Sequence, residues 1–204
     1  MEDDREIFTL NSNTVASNPG RVKVMPLVLM KHFHTPILLL IALLASIAFA
    51  LDVSLIWGGF AFLIFLAINI FYWRRKKEHF AHGDSNGGII ISDKPKLIAV
   101  TTDLSIGFGG KYPVVKIISY KGKGKLNDRI STVALYQGSD NTTTHWDDFF
   151  PVPVEYVNNN EIELKDVLQS YSDESWEILQ HRIQQINKPY REGLFKIYSD
   201  ESNW

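Results

Sequence analysis

From Thr35 to Trp73 the chain reads TPILLLIALLASIAFALDVSLIWGGFAFLIFLAINIFYW, a stretch in which Asp52 is the only Asp, Glu, Lys or Arg. Between Lys31 and Asp52 lie twenty uncharged residues, and between Asp52 and Arg74 lie twenty-one. A hydrocarbon layer of ~30 Å crossed at ~1.5 Å per residue needs about 20 of them. Two spans therefore fit, about 33–51 and 54–73, with the turn at Leu51-Asp52-Val53-Ser54. Pro36 suits a helix start, because the first helical position needs no N–H partner. So short a turn makes the two spans antiparallel neighbours.

Small residues mark where they would meet. Ala42, Ser46 and Ala50 recur every four residues, and Ser54, Gly58 and Ala61 offer the same on the second span. Helices in lipid associate through such close backbone approach; the plainer reading is that Ala and Gly are common in spans. Asn69, one turn from the interface, reads as a helix–helix or headgroup hydrogen bond rather than part of a conduction path.

Basic residues set the orientation. Arg21, Lys23 and Lys31 precede the first span, Arg74 to Lys77 follow the second, and the connecting turn has none. The expectation is a multi-pass protein of the inner (plasma) membrane with both termini cytoplasmic. Phe71-Tyr72-Trp73 supplies an inner aromatic belt and Trp57 an outer one. Ala48-Phe49-Ala50 mimics a signal-peptidase site, but the region before it is long and acidic and a second span follows, so no cleavage is expected.

Overall composition, 45% hydrophobic and 22% charged, hides this segregation. Everything after Glu78 reads as soluble protein, long enough to bury its own core. The absence of cysteine excludes disulfides and thiolate zinc sites. A formal net charge of −2 gives no reason to expect a nucleic-acid partner. Residues 1–20 are polar, lack periodicity and read as a disordered tail. Residues 21–82 form the membrane unit with its flanks, in which Val22–Met30 would lie on the bilayer or pack on the soluble part. Residues 83–204 form a β-rich cytoplasmic domain.

In that domain Arg74–His82 extends the second helix up to Gly83, and Asp84-Ser85-Asn86-Gly87-Gly88 reads as a break. Short β-branched runs follow at 89–92, 97–102, 114–120 and 130–136, with 152–157 as an edge strand because of its prolines and 194–198 as a sixth. Ile162, Leu164, Val167 and Leu168 open a short helix. Trp176, Leu179, Ile183 and Ile186 share one face of another, capped by Ser172 and stopped before Pro189. The fold class is α+β, mainly β: a two-helix transmembrane hairpin plus a small antiparallel β-barrel-like cytoplasmic domain, with a C-terminal helix covering one opening and Trp176 plugging the core there.

The sequence resembles a family of uncharacterised bacterial membrane proteins that join a short hairpin to a small β-barrel-like domain. The resemblance rests on Phe71-Tyr72-Trp73-Arg74-Arg75, Lys96 to Val100 with Thr102-Asp103-Leu104, Tyr112 to Ile117, Thr132 to Gly138, His145 to Phe149, Trp176-x-x-Leu179 and Gly193-Leu194. It spans roughly residues 70–198, and it implies architecture and a bacterial origin but no activity, cofactor or site residue.

Few residues invite chemistry. Gly107-Phe108-Gly109-Gly110-Lys111 lacks the spacing and following helix of a phosphate loop and reads as a flexible loop. His145-Trp146-Asp147-Asp148 could supply a base or a metal ligand, but neighbours along an extended chain point to opposite sides, so only His145 and Asp147 could share a face. The plainer reading is a structural turn. His79 and His82 with Asp84 have one-turn spacing but sit beside the membrane, where interfacial roles prevail. Asn141-Thr142-Thr143 matches a glycosylation pattern but should face the cytoplasm. No metal or cofactor is expected.

Charge is less even than the total. Lys111, Lys116, Lys121, Lys123, Lys125 and Arg129 face only Asp128 between residues 111 and 129, whereas 130–180 is strongly acidic. Lys121, Lys123 and Lys125 are the candidate contact with a ligand or with anionic headgroups; a solvated hairpin tip that discourages edge pairing is the plainer reading. The expected function is a membrane-anchored binding or assembly module, with the lipid bilayer as one partner and a second copy or another membrane protein as the other. The alternative is a membrane-associated enzyme using His145, Asp147 and Asp148, with or without a metal.

Overall fold

The computed structural model describes residues 6–8, 16, 18–106, 112–139 and 144–197. The two apolar runs form helices, α2 (Thr35–Asp52) and α3 (Leu55–His82), joined at Val53 and Ser54. Both are long and apolar enough to cross a membrane, and only 11% and 6% of their apolar windows are buried. Neither is therefore the covered core helix of a soluble domain. The two pack tightly where side chains are small. A Cβ on Gly58 would lie 2.3 Å from the Cα of Ala50, so only glycine permits this approach. Ser46 is buried and its hydroxyl donates to the Leu43 carbonyl, while Ala42 and Ala50 are half-buried. The Asn69 amide donates to the Phe65 carbonyl of its own helix at 3.0 Å and across to the Leu39 carbonyl at 3.2 Å, which ties the two helices together.

Before α2, Val22 to Met25 runs extended and α1 (Pro26–His32) follows. This segment does not lie on its own. Gly20, Arg21 and Val22 donate backbone bonds to the carbonyls of Gly83, Ala81 and Phe80, and Met25 donates to Val157. It thus straps the C-terminal end of α3 to the β domain, burying Val22, Val24, Leu29 and Phe80 against Val133, Val154 and Val157.

The sheet contains β1 (Glu6–Phe8), β2 (Asp84–Asp93), β3 (Lys96–Asp103), β4 (Pro113–Ser119), β5 (Arg129–Ser139), β6 (Asp148–Pro153) and β7 (Gly193–Lys196). Its path is β1-β5-β2-β3-β4-β7, with β6 also on β5, and every pairing is antiparallel. The sheet curls into a half-barrel whose concave face holds Ile90, Ile98, Val100, Val114, Ala134, Tyr136 and Phe149. Side-chain alternation puts Ile89, Leu97, Ala99, Val115 and Ile117 on the convex face, where α5 (Asp173–Gln184) covers them with Trp176, Leu179 and Ile183. The strap, α3 and α4 (Glu161–Gln169) cover the rest of that face.

Curling brings β4 toward β6. Lys116 projects from the concave face, and its ammonium donates to Asp148 Oδ2 at 2.6 Å and to the Phe149 carbonyl at 2.7 Å. It also lies 4.3 Å from the centroid of the Phe150 ring. Beyond β3 the chain closes the same seam: Trp146 donates to the Leu104 carbonyl, and Ser105 bridges to His145.

Several expectations need correction. Residues 84–88, read as a break, are the first half of β2, because Gly87 leaves room for Trp176, whose ring atoms would lie 2.8 Å from an added Cβ. The edge strand is β6 at 148–153, which contains both Pro151 and Pro153, and Val154–Tyr156 is a 3-10 turn rather than strand. Of the two places open to Val22–Met30, the stretch packs on the β domain, extended up to Met25 and helical from Pro26, where proline at the first turn starts a helix. The late helix lies across the convex face and does not plug an opening, so Trp176 is buried outside the barrel. Residues 6–8 and 18–20, expected in a disordered tail, pair with β5 and with the start of β2 and end of α3; residues 1–5, 9–15 and 17 lie outside the described residues.

Replacing Lys116 with alanine would leave Asp148 unpaired at the seam. Its partial exposure brings the expected loss to about 1–3 kcal/mol, below that of a fully buried pair. Denaturant unfolding of the full chain in nanodiscs checks this, and Lys116→Arg should lose less.

Candidate functional site

The strands have two ends, and the residues gathered at each differ sharply. At one end lie the β2–β3 turn and the loop from β4 to β5. Its position relative to the helices is fixed by Tyr156. That ring stacks on His32 at 4.4 Å and meets the edge of Phe33 at 6.3 Å, just before α2 begins. Its hydroxyl accepts the Lys121 backbone N–H at 2.6 Å. The lysine loop is thus one aromatic ring away from the entry to α2. Lys76, on α3, sits over the Phe33 ring at 5.3 Å, in the same layer.

The loop is not a loose tip. The Lys96 ammonium donates to the carbonyls of Gly122 and Gly124 at 2.9 and 2.6 Å, and Asp128 accepts the Lys125 N–H. With its backbone held, the loop leaves Lys121, Lys123 and Lys125 exposed, and Lys94 in the adjoining turn joins them. Lys116 and Arg129, counted with this charge in the sequence, go elsewhere: one closes the seam, and the other lies 4.7 Å over the Trp176 ring.

At the opposite end, over the start of β2 and the end of β3, a cleft of about 880 Å³ opens. Asp84, Thr102, Tyr136 and Trp146 line its concave side, and Tyr171, Trp176 and Arg182 the side beyond the rim. Tyr136 donates to Asp84 Oδ2 at 2.6 Å and also bonds the Thr102 hydroxyl. The Asn86 amide reaches the same carboxyl oxygen at 3.2 Å, and the Asn18 N–H reaches Oδ1 at 3.4 Å. Burial pushes the Asp84 carboxyl above its ordinary range, against these bonds. Burial, and then the Asp84 charge, holds the Tyr136 phenol well above its own. Tyr171, whose hydroxyl bonds Ser85, is pushed up by burial to about 12. Arg182 donates to the Thr101 hydroxyl at 2.8 Å and the Thr102 carbonyl; burial lowers its pKa and nearby Asp103 opposes that.

The tetrapeptide singled out in the sequence is spread along the seam. His145 stacks on Tyr112 at 4.0 Å, Asp147 is exposed and Asp148 holds Lys116. Among the described residues no group of three or more His, Cys, Asp or Glu is placed to hold a metal. His79 is buried with its Nε2 donating to the Val133 carbonyl at 3.2 Å, whereas His82 is exposed at the cleft rim, so the two do not face one site. The glycine-rich residues 107–111 and the pattern at Asn141-Thr142-Thr143 lie outside the described residues. Tyr136 and Arg182 carried no signal in the sequence, and Asp84 stood out only beside His79 and His82, since 84, 136 and 182 come together only when β2 pairs with β5 and α5 lies across β3.

Residues 75–187 match a family described as "Protein of unknown function (DUF3239)". The chain belongs to that family. The matched span holds more than half of the 204 residues and runs from the end of α3 to just past α5, taking in the lysine loop and most of the cleft. No curated protein matches. Among solved structures, a crystal structure described as a "putative membrane protein from Corynebacterium diphtheriae" is similar, with 13% identity and a TM-score of 0.47, covering 56% of this chain and 100% of that one.

His79 lies where α3 meets β5, and its environment makes the junction sensitive to acid. Burial, then the Lys76 charge, lowers its pKa from 6.5 to about 4. The unfolded chain binds this proton more readily than the folded one between those values. The contribution, up to about 3 kcal/mol, is therefore complete above pH 6.5 and lost as pH falls toward 4. Melting temperature against pH should show that loss, and His79→Phe should flatten it.

Proposed function

We propose that this chain is a membrane-anchored, non-enzymatic binding or assembly module. Its two spans fix it in the inner membrane with both termini cytoplasmic, and its lysine loop rests on anionic headgroups. The observation that carries this is the Tyr156 bridge, which joins His32 and Phe33 at the entry to α2 with the backbone of Lys121. A β domain on a loose tether would present any face to the bilayer. Here the strap and this ring hold one end of the sheet at the level where α2 starts, and that end is the basic one. Each lysine near an anionic surface contributes about 1 kcal/mol, so Lys94, Lys121, Lys123 and Lys125 together fix orientation rather than residence, which the spans supply. The far end of the sheet, with its cleft, is then turned away from the bilayer toward partners. Holding such a domain at a surface raises its effective concentration for other proteins there, including a second copy.

The lack of cysteine makes the test clean, because one introduced thiol reports one place. A spin label on Lys123→Cys in nanodiscs should be immobilised when the lipid contains phosphatidylglycerol. It should be freed by high salt and in pure phosphatidylcholine. Equal mobility in all three overturns the headgroup contact. In intact cells an impermeant maleimide should label Val53→Cys and spare Lys123→Cys; the reverse pattern overturns the orientation. A protein that stays monomeric in mild detergent and gives no crosslinked partner in cells sinks the assembly role.

A further inference from the structure

We propose that the 880 Å³ cleft at the far end of the sheet is a binding site for a small organic cation, an alkylammonium or polyamine, with Asp84 as its counter-charge. The inference goes beyond the membrane reading and does not depend on it.

Asp84 carries the argument. Asp84 lines the cavity, and among the described residues no Lys, Arg or His nitrogen is paired with its carboxyl. Asp84 is half-buried, and a carboxylate drawn partly out of water gains from a counter-charge, because an uncompensated charge away from water is costly. Three neutral donors meet it instead, from Tyr136, Asn86 and Asn18. A carboxylate accepts at about four sites, and Oδ1 holds only the long 3.4 Å bond from the Asn18 backbone. Oδ1 is thus the less occupied oxygen of a carboxylate that lines the cavity. Arg182 does not fill it, since its guanidinium is engaged with Thr101 and Thr102 beside Asp103. The charges that line the cleft, with histidine neutral, thus sum to a surplus of negative charge.

The remaining lining suits an ammonium group better than a metal ion or an anion. Tyr136, Trp146, Tyr171 and Trp176 line the cleft with aromatic surface, which offers apolar contact to the methylenes of such a ligand. The hydroxyls of Ser85, Thr102, Ser172 and Ser175 offer acceptors, and an ammonium has three donors and no acceptor. A hard metal ion would need several carboxylates converging, and among the described residues no such group exists. An anion would meet Asp84 and Asp103 with one arginine already engaged.

The test uses the full chain in phosphatidylcholine nanodiscs, with putrescine as probe and 1,4-butanediol as its uncharged equal in length, read by calorimetry against empty discs. Putrescine should bind and butanediol should not. Asp84→Asn, which keeps the shape, should weaken putrescine at least about tenfold, the worth of one charge-assisted hydrogen bond. Asp84→Asn with an unchanged melting temperature and wild-type affinity overturns the proposal. Should that variant melt early, Ser175→Lys decides. Residue 175 is exposed at the cleft, and a lysine there places a positive charge in it and should lower putrescine affinity several-fold, whereas unchanged affinity overturns the site. Equal binding of the two probes, or of neither at millimolar concentration, also overturns it.

Discussion

The arrangement depends on three backbone hydrogen bonds. Gly20, Arg21 and Val22 donate to the carbonyls of Gly83, Ala81 and Phe80, so the chain entering the hairpin lies alongside the chain leaving it. Helix ends expose carbonyls that need partners, and here the strap supplies them at the end of α3. Once that is fixed, Met25 reaches Val157, α1 follows, and His32 and Phe33 meet Tyr156. A helix that ended in a free linker would leave the β domain to tumble. With both flanks of the hairpin tied to the same domain, rotation about either linker is blocked. The apolar cluster of Val22, Leu29, Phe80, Val133 and Val157 makes the joint a core in its own right.

The curl of the sheet follows from the same economy of burial. A flat sheet would expose one face, and this one has apolar side chains on both. The convex face is covered by α5, α4, α3 and the strap. Among the described residues no α-helix covers the concave face, which covers itself by bringing β6 toward β4. Lys116 then occupies an interior-facing position that would be wrong in a simple barrel. In an open seam it is right, because Asp148 and the Phe150 ring await it on the other side. The lysine is a closure, and the sequence count that placed it with the surface charges put it on the wrong side of the strand.

The parts legible in the sequence are those set by local pattern. An apolar run flanked by lysine and arginine, a four-residue rhythm of small side chains and a capped amphipathic helix at 173–184 each carry their own signal. What was not legible depends on partners distant in sequence. Asp84-Ser85-Asn86-Gly87-Gly88 has the composition of a turn, and it is a strand because Trp176, ninety residues on, needs the space above Gly87. Trp176 itself has helical periodicity, which says that one face is covered but not which side of a sheet it lies on. The pattern at His145 to Asp148 shows chemical groups close in sequence; extended backbone then points them apart. The reverse holds for Asp84, Tyr136 and Arg182, which are unremarkable singly and meet only through the pairing of β2 with β5 and the crossing of α5.

These facts together give the domain polarity. β2 leaves the cleft at Asp84 and ends beside the lysine loop; β3 starts at Lys96 in that loop's support and ends at the cleft; β5 starts at Arg129 and reaches Tyr136. Every central strand thus runs between a basic end and an acidic one, about five to eight residues or roughly 17–27 Å apart at ~3.3 Å per residue. Separation on that scale exceeds the Debye length of ~8 Å at physiological salt. The two ends therefore do not neutralise each other through solvent, and each keeps its own sign toward whatever lies before it. For a domain held firmly by the hairpin, that polarity is what gives the fixed orientation a consequence: turned over, the same fold would offer the acidic cleft to the side where α2 begins, with the lysines facing away.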